Sequence, residues 1–146
     1  MRYFVLILLS GLMSCTQTFD RGTAKKEIIA VLMQQQKFWN TGDLEGYMKG
    51  YYKSDSLKFV SGGNVTYGWQ TTLDHYKKSY PDKETMGRLT FSELEVTLLS
   101  EKAAVVTGKW ELQRKNDHPW GMFTLVFKKT GCGWRIIHDH TSLATK

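Results

Sequence analysis

The side chains best suited to chemistry gather near the end of the chain, in Gly133-Trp134-Arg135-Ile136-Ile137-His138-Asp139-His140-Thr141-Ser142. A Gly131–Gly133 turn precedes a run of β-formers, so the segment reads as the closing strand of a sheet. Alternation divides it into two rows: Trp134, Ile136, His138 and His140, then Arg135, Ile137, Asp139 and Thr141. Each row mixes apolar and polar groups, so both faces are expected to meet protein or ligand rather than bulk water. Asp139 is the candidate acid or base. Its structural alternative is a hydrogen bond to a neighbouring strand, or pairing with Lys109 or Arg135. His138 and His140, two residues apart on a strand, could offer imidazoles to one metal. A third ligand would have to be Glu111 or His118, which no motif places there. No metal site is therefore assigned, and the pair is read as imidazoles bonded across a subunit interface. Asp74-His75 is a dyad in sequence only, because adjacent helical residues point apart. Cys132 sits in a Gly-flanked turn with no base beside it, so it is read as structurally incidental.

The elements that must position these groups follow from periodicity. Ile28, Val31, Leu32, Gln35 and Trp39 form a helical stripe widened by Ile29, Met33 and Phe38, which predicts a first helix over Thr23 to Thr41. Gly42 is its left-handed cap. Asp43 caps a second helix from Leu44 to about Tyr52, with Leu44, Tyr47, Met48 and Tyr51 on its apolar side. Leu57–Ser61 and Val65–Tyr67 flank a Gly62-Gly63 turn, which predicts a hairpin. A third helix runs from Trp69 to Tyr80, with Thr72, Tyr76 and Tyr80 every fourth residue, and Pro81 stops it. Three long strands precede the closing one: Met86 to Leu99, Lys102 to Arg114 and Trp120 to Lys129. Helices first and strands afterwards give an α+β class with a mostly antiparallel sheet.

The 146 residues suit one domain, with 41% hydrophobic and 13% aromatic residues to build a core. The net charge of +6 is scattered. No basic helix or aromatic-interleaved stripe is present, so nucleic acid is not an expected partner. The N-terminus carries a secretory-signal pattern: Arg2, an apolar run from Phe4 to Leu9, then Leu12-Met13-Ser14-Cys15. That ending resembles the lipobox of bacterial lipoproteins, in which the cysteine is lipidated and becomes the first residue. Met13 is a less usual occupant. The expected organisation is a signal peptide over residues 1–14, a tether over 15–22 and one domain over 23–146. It is expected to be anchored through Cys15 in a bacterial cell envelope.

Residues Asn40-Thr41-Gly42-Asp43-Leu44-Glu45 with Tyr47, Gly68 before the third helix, and Trp134 through Ser142 together resemble the nuclear transport factor 2-like superfamily. The resemblance is closest to its SnoaL-like members, and extends to the association domain of calcium/calmodulin-dependent kinase II. It implies a cystatin-like cone, a curved sheet wrapped around the N-terminal helices with a cavity at the open end, and a homodimer through the outer sheet face. Positions that carry arginines in the kinase association domain fall here on Trp110, Leu125 and Thr141, and a cavity histidine on Thr72. None is basic, which implies an aromatic, less charged cavity. The resemblance also puts Asp139 and Thr141 on the cavity side, and His138 and His140 outside.

The expected cavity wall is Trp39, Tyr51, Thr72, Tyr76, Tyr80, Trp110, Leu125, Asp139 and Thr141. A carboxyl among such rings is desolvated, which raises its pKa. Ketosteroid isomerases in the superfamily pair such a carboxylate with a tyrosine, so Asp139 with Tyr76, or with Tyr80 as the alternative donor, would be the catalytic pair of an isomerase, cyclase or dehydratase. The reading adopted is a binding module for a small, partly apolar ligand, without a cofactor. An enzyme and a dimeric assembly module are the alternatives.

Overall fold

The computed structural model describes residues 19–144. Helix α1 (Arg21–Thr41) opens the fold. Asp20 caps it by accepting from the Gly22 and Thr23 donors, which starts the helix two residues before the predicted Thr23. Gly42 ends it at φ 81°, as its left-handed cap requires. The buried stripe is Ala24, Ile28, Leu32, Gln35 and Trp39.

Helix α2 covers only Leu44–Met48, capped by Asp43, and does not reach Tyr52. Two causes cut it short. The Gly50 carbonyl accepts from Ile136 N, and Tyr52 N donates to the Ile136 carbonyl, so this backbone joins the sheet instead of the helix. Gly50 also presses on Gln35, where a Cβ would stand 2.4 Å from Cδ. Strands β1 (Lys58–Ser61) and β2 (Asn64–Tyr67) form the hairpin, and α3 (Trp69–Ser79) follows. A short α4 (Lys83–Met86), closed by an Asp82–Thr85 capping box, replaces the first residue of the expected long strand.

The long strands are β3 (Arg88–Leu98), β4 (Ala103–Gln113), β5 (Trp120–Thr130) and β6 (Gly133–Thr141). The sheet order is β2-β1-β6-β5-β4-β3, antiparallel except for the parallel β1–β6 pair. Ala104, Val106 and Leu112 from β4 and Phe123, Leu125 and Phe127 from β5 face inward onto α1. Asn40 and Gln36 of α1 bond Leu89 and Phe91 on the free edge of β3, so the helix satisfies a strand edge that has no strand beside it.

Two bulges bend the sheet. Opposite Gly108, β3 inserts an extra residue, and Glu93 takes φ 53°. In β6, Ile136 pairs with Phe127 and His138 with Val126, so Ile137 is the extra residue. That insertion resolves the mixed rows read from alternation. The inner row is Trp134, Ile136, Asp139 and Thr141, while Arg135, Ile137, His138 and His140 turn outward. A strict period of two fails there by one residue.

Candidate functional site

Between α1, α3 and the concave sheet lies a cavity of about 420 Å³. Its floor is the β6 inner row, beside β1 and β5. Asp139 is level with Phe59 on one side and Leu125 on the other. The helical wall supplies Trp39 from α1, Tyr47 from α2, and Tyr76 and the C-cap Tyr80 from α3, the last two at the i, i+4 spacing that puts residues on one helix face. These rings pack edge to face: Trp39 lies 5.2 Å from Tyr47 and 4.8 Å from Tyr80, and Tyr76 lies 5.4 Å from Tyr47 and 5.7 Å from Phe59. The mouth is framed by His75, Ser79, Arg114, Asp117, Pro119 and Leu143.

Asp139 is the buried polar centre, only 5% exposed. The Tyr51 hydroxyl donates to its Oδ2 at 2.7 Å. Its Oδ1 is sealed from solvent and has no hydrogen-bond partner. Burial in apolar surroundings raises its pKa to about 7, and the Tyr51 hydrogen bond offsets part of that rise. The Asp139 carboxyl therefore exchanges its proton near neutrality, able to donate or accept. Burial also raises the phenol pKa values of Tyr47, Tyr51 and Tyr76, and the negative charge of Asp139 adds to it, so all three stay protonated donors.

Of the residues expected on the wall, Trp39, Tyr51, Tyr76, Tyr80, Trp110, Leu125, Asp139 and Thr141 all line this cavity. Thr72 does not. It is fully buried and its Oγ1 donates to the Gly68 carbonyl, closing the first turn of α3. The tyrosine bonded to Asp139 is Tyr51, not the expected Tyr76. Neither basic residue considered as a partner of Asp139 reaches it: Lys109 faces Glu111 at 3.6 Å, and Arg135 donates to the Trp134 carbonyl.

Tyr47, Gln35 and Arg114 are among the lining residues that escaped the sequence reading. Tyr47 was assigned to a helix stripe but not to the wall. Gln35 holds α2 in place by donating to the Tyr47 carbonyl. Arg114 brings a positive charge to a cavity expected to be aromatic and less charged. It sits in the β4–β5 connection, away from the three strand positions where basic residues were sought.

Outside the cavity, His138 is level with Lys58 of β1, and its pKa is lowered by partial burial, then by Lys58 and His140. Among the described residues, no three His, Cys, Asp or Glu side chains group closely enough to hold a metal ion. Cys132 is free and exposed in the β5–β6 turn. The signal segment and Cys15 lie outside the described residues. Among those residues, no helix is long and apolar enough to cross a membrane.

A family model for the SnoaL-like domain matches residues 28–146. An NTF-2 like protein of unknown function from Shewanella oneidensis MR-1 is 44% identical, with a TM-score of 0.78 over 81% of this chain and 98% of that chain. An NTF2-like superfamily protein from Salmonella enterica serovar Typhimurium LT2 is 21% identical, with a TM-score of 0.70 over 87% of this chain and 95% of that one. A putative calcium/calmodulin dependent protein kinase II association domain from Xanthomonas campestris is 17% identical, with a TM-score of 0.64 over 83% and 88%. The last two share the fold alone. No curated protein matches the chain.

Proposed function

Because the chain belongs to the SnoaL-like domain family and has the NTF2-like fold, we propose that it is a lipid-anchored envelope protein. Its single cone domain binds a small, partly apolar ligand in the aromatic cavity. The observation that carries this reading is Asp139 Oδ1, buried against the cavity with no protein partner. A buried oxygen left unmet costs stability, so a ligand that supplies the missing hydrogen bond gains by it. The surrounding rings supply apolar area for the rest of the molecule.

The Leu12-Met13-Ser14-Cys15 ending supports attachment through Cys15 on a bacterial envelope membrane. Trp120 and Met122 are 42% and 43% exposed on the outer row of β5, which supports a homodimer through that face. One observation favours a second reading as an isomerase, cyclase or dehydratase. Asp139 exchanges its proton near pH 7 and holds a tyrosine hydroxyl at 2.7 Å, a pair suited to moving a proton on a bound carbonyl compound. In that reading Asp139 is the acid or base, and Tyr51, with Tyr76 beside it, is the donor.

Native mass spectrometry of the protein extracted from its own host tests the parts together. The expected result is a dimer, each chain starting at an acylated Cys15 and carrying a small molecule. That molecule should be lost when Leu125→Trp fills the cavity. An unmodified N-terminus beyond Cys15 removes the anchor, and a monomer at all concentrations removes the dimer. Absence of any small molecule, or its equal retention in Leu125→Trp, removes the cavity reading. Loss of turnover on a cyclic ketone in Asp139→Asn would favour the enzyme over the binding module.

A further inference from the structure

The cavity has a second pole at its mouth. Arg114 follows the last residue of β4, and its backbone N donates to the Asp117 carbonyl at 3.1 Å, which pins the connecting loop. The guanidinium lies 5.9 Å from the centre of the Tyr80 ring, itself part of the cavity wall. Its Nε is sealed from solvent and makes no hydrogen bond. The nearest carboxylate oxygen, Asp117 Oδ1, stands 3.8 Å from Nε, beyond hydrogen-bond reach. The Asp117 side chain is 58% exposed, so water rather than Arg114 meets most of its needs. Arg114 is thus held by its loop and ring stack, and among the described residues the two Nη groups at the end of its fork make no hydrogen bond, which leaves them to a ligand.

The deep pole is the unpartnered Asp139 Oδ1. Both poles line one cavity, and the wall they share is Trp39, Tyr80 and Trp110. We infer that the ligand is a planar organic monoacid: its carboxylate at Arg114, its apolar rings against that wall, and a hydroxyl or carbonyl reaching Asp139. This inference rests on the cavity reading above and adds the class of molecule. A guanidinium fork matches a carboxylate in two parallel bonds. A single arginine with Asp117 beside it suits one negative charge better than the two of a phosphate monoester.

Isothermal titration of the full chain at pH 6 with three probes tests this: 6-hydroxy-2-naphthoate, its methyl ester, and 2-naphthoate. The acid should bind about tenfold tighter than the ester, the usual size of one charge-assisted contact at a partly exposed site. Arg114→Gln should abolish that preference by weakening the acid far more than the ester, and Arg114→Lys should recover part of it. Removing the hydroxyl, in 2-naphthoate, should weaken binding severalfold. Equal affinity of acid and ester in the wild type overturns the inference, as does an equal loss for both in Arg114→Gln. Both results leave the cavity reading standing. Failure of all three probes to bind overturns the inference, while the cavity reading falls only if the protein from its own host also carries no small molecule.

Discussion

Replacing Asp139 by asparagine isolates the cost of holding a carboxyl in this cavity. The side chain keeps its shape, and Tyr51 can still donate to the amide oxygen. The ionisable proton is lost. Asp139 has a pKa of about 7 in the fold against 3.8 for the unperturbed group, raised first by burial. The sign follows from linkage. Between pH 4 and pH 7 the folded chain binds a proton that the unfolded chain has released, so this group makes stability fall as pH rises. Below pH 4 both states are protonated and the penalty vanishes. Above pH 7 it is complete. A shift of about three units corresponds to about 4 kcal/mol. Water entering the cavity relaxes the charged form, so the expected span is about 2–4 kcal/mol. For a domain of this size, 4 kcal/mol displaces the melting temperature by on the order of 15 °C. Urea unfolding of ligand-free wild type and Asp139→Asn at pH 5, 6, 7 and 8 reads it directly. The variant should gain on the wild type from pH 5 to pH 7 and level off by pH 8, by somewhat more than half of that span. Groups other than Asp139 titrate in both proteins and cancel in the difference. Parallel pH profiles would refute the claim that this carboxyl is buried and unpaired.

Two further substitutions probe how the carboxyl is held. Tyr51→Phe removes the one hydrogen bond to Asp139, so the carboxyl pKa should move further upward and stability should fall by about 1–2 kcal/mol. A carboxyl-detected NMR titration checks the direction, and an unchanged or lowered midpoint contradicts it. Gly50→Ala places a Cβ 2.4 Å from Gln35 Cδ, and Gln35 cannot retreat without giving up its bond to the Tyr47 carbonyl. Thermal unfolding should show a loss of about 1–3 kcal/mol. A melting temperature equal to wild type would mean that α2 does not depend on this close approach.

Much of the fold was legible because its signals are local. Gly42 and Asp43 mark a helix stop and start within two residues, and the inner rows of β4 and β5 alternate without interruption. What escaped depends on partners distant in sequence. The end of α2 is decided by Ile136, which takes the backbone of Gly50 and Tyr52 into the sheet. Helix α4 has four residues, too few for a period to show, and Trp39 fastens its end by donating to the Met86 carbonyl. Tyr76 and Tyr80 were foreseen on the wall from their i, i+4 spacing, while Trp110, Leu125, Asp139 and Thr141 came from the family resemblance. Arg114 was not foreseen, because a charged residue at the last position of an expected strand reads as a solvated end until Tyr80 is seen beside it.

The bulge at Ile137 connects the fold to the chemistry. Without an extra residue there, the side chain facing inward two positions after Ile136 would be His138. With it, His138 turns toward Lys58 on the outer face, and Asp139 takes the inward place beside Phe59 and Leu125. A single inserted residue therefore selects a carboxyl over an imidazole for the centre of the cavity. The difference is large. An imidazole buried there would lose its charge and remain neutral through the physiological range. The carboxyl instead has its proton exchange brought up to about pH 7 by the same burial. The insertion also shifts the β5–β6 register by one residue, from Thr130 level with Gly133 before it to Phe123 level with Thr141 after it. The bend it introduces and the group it presents thus come from one feature of the strand, and the curvature that opens the cavity is tied to the acid at its centre.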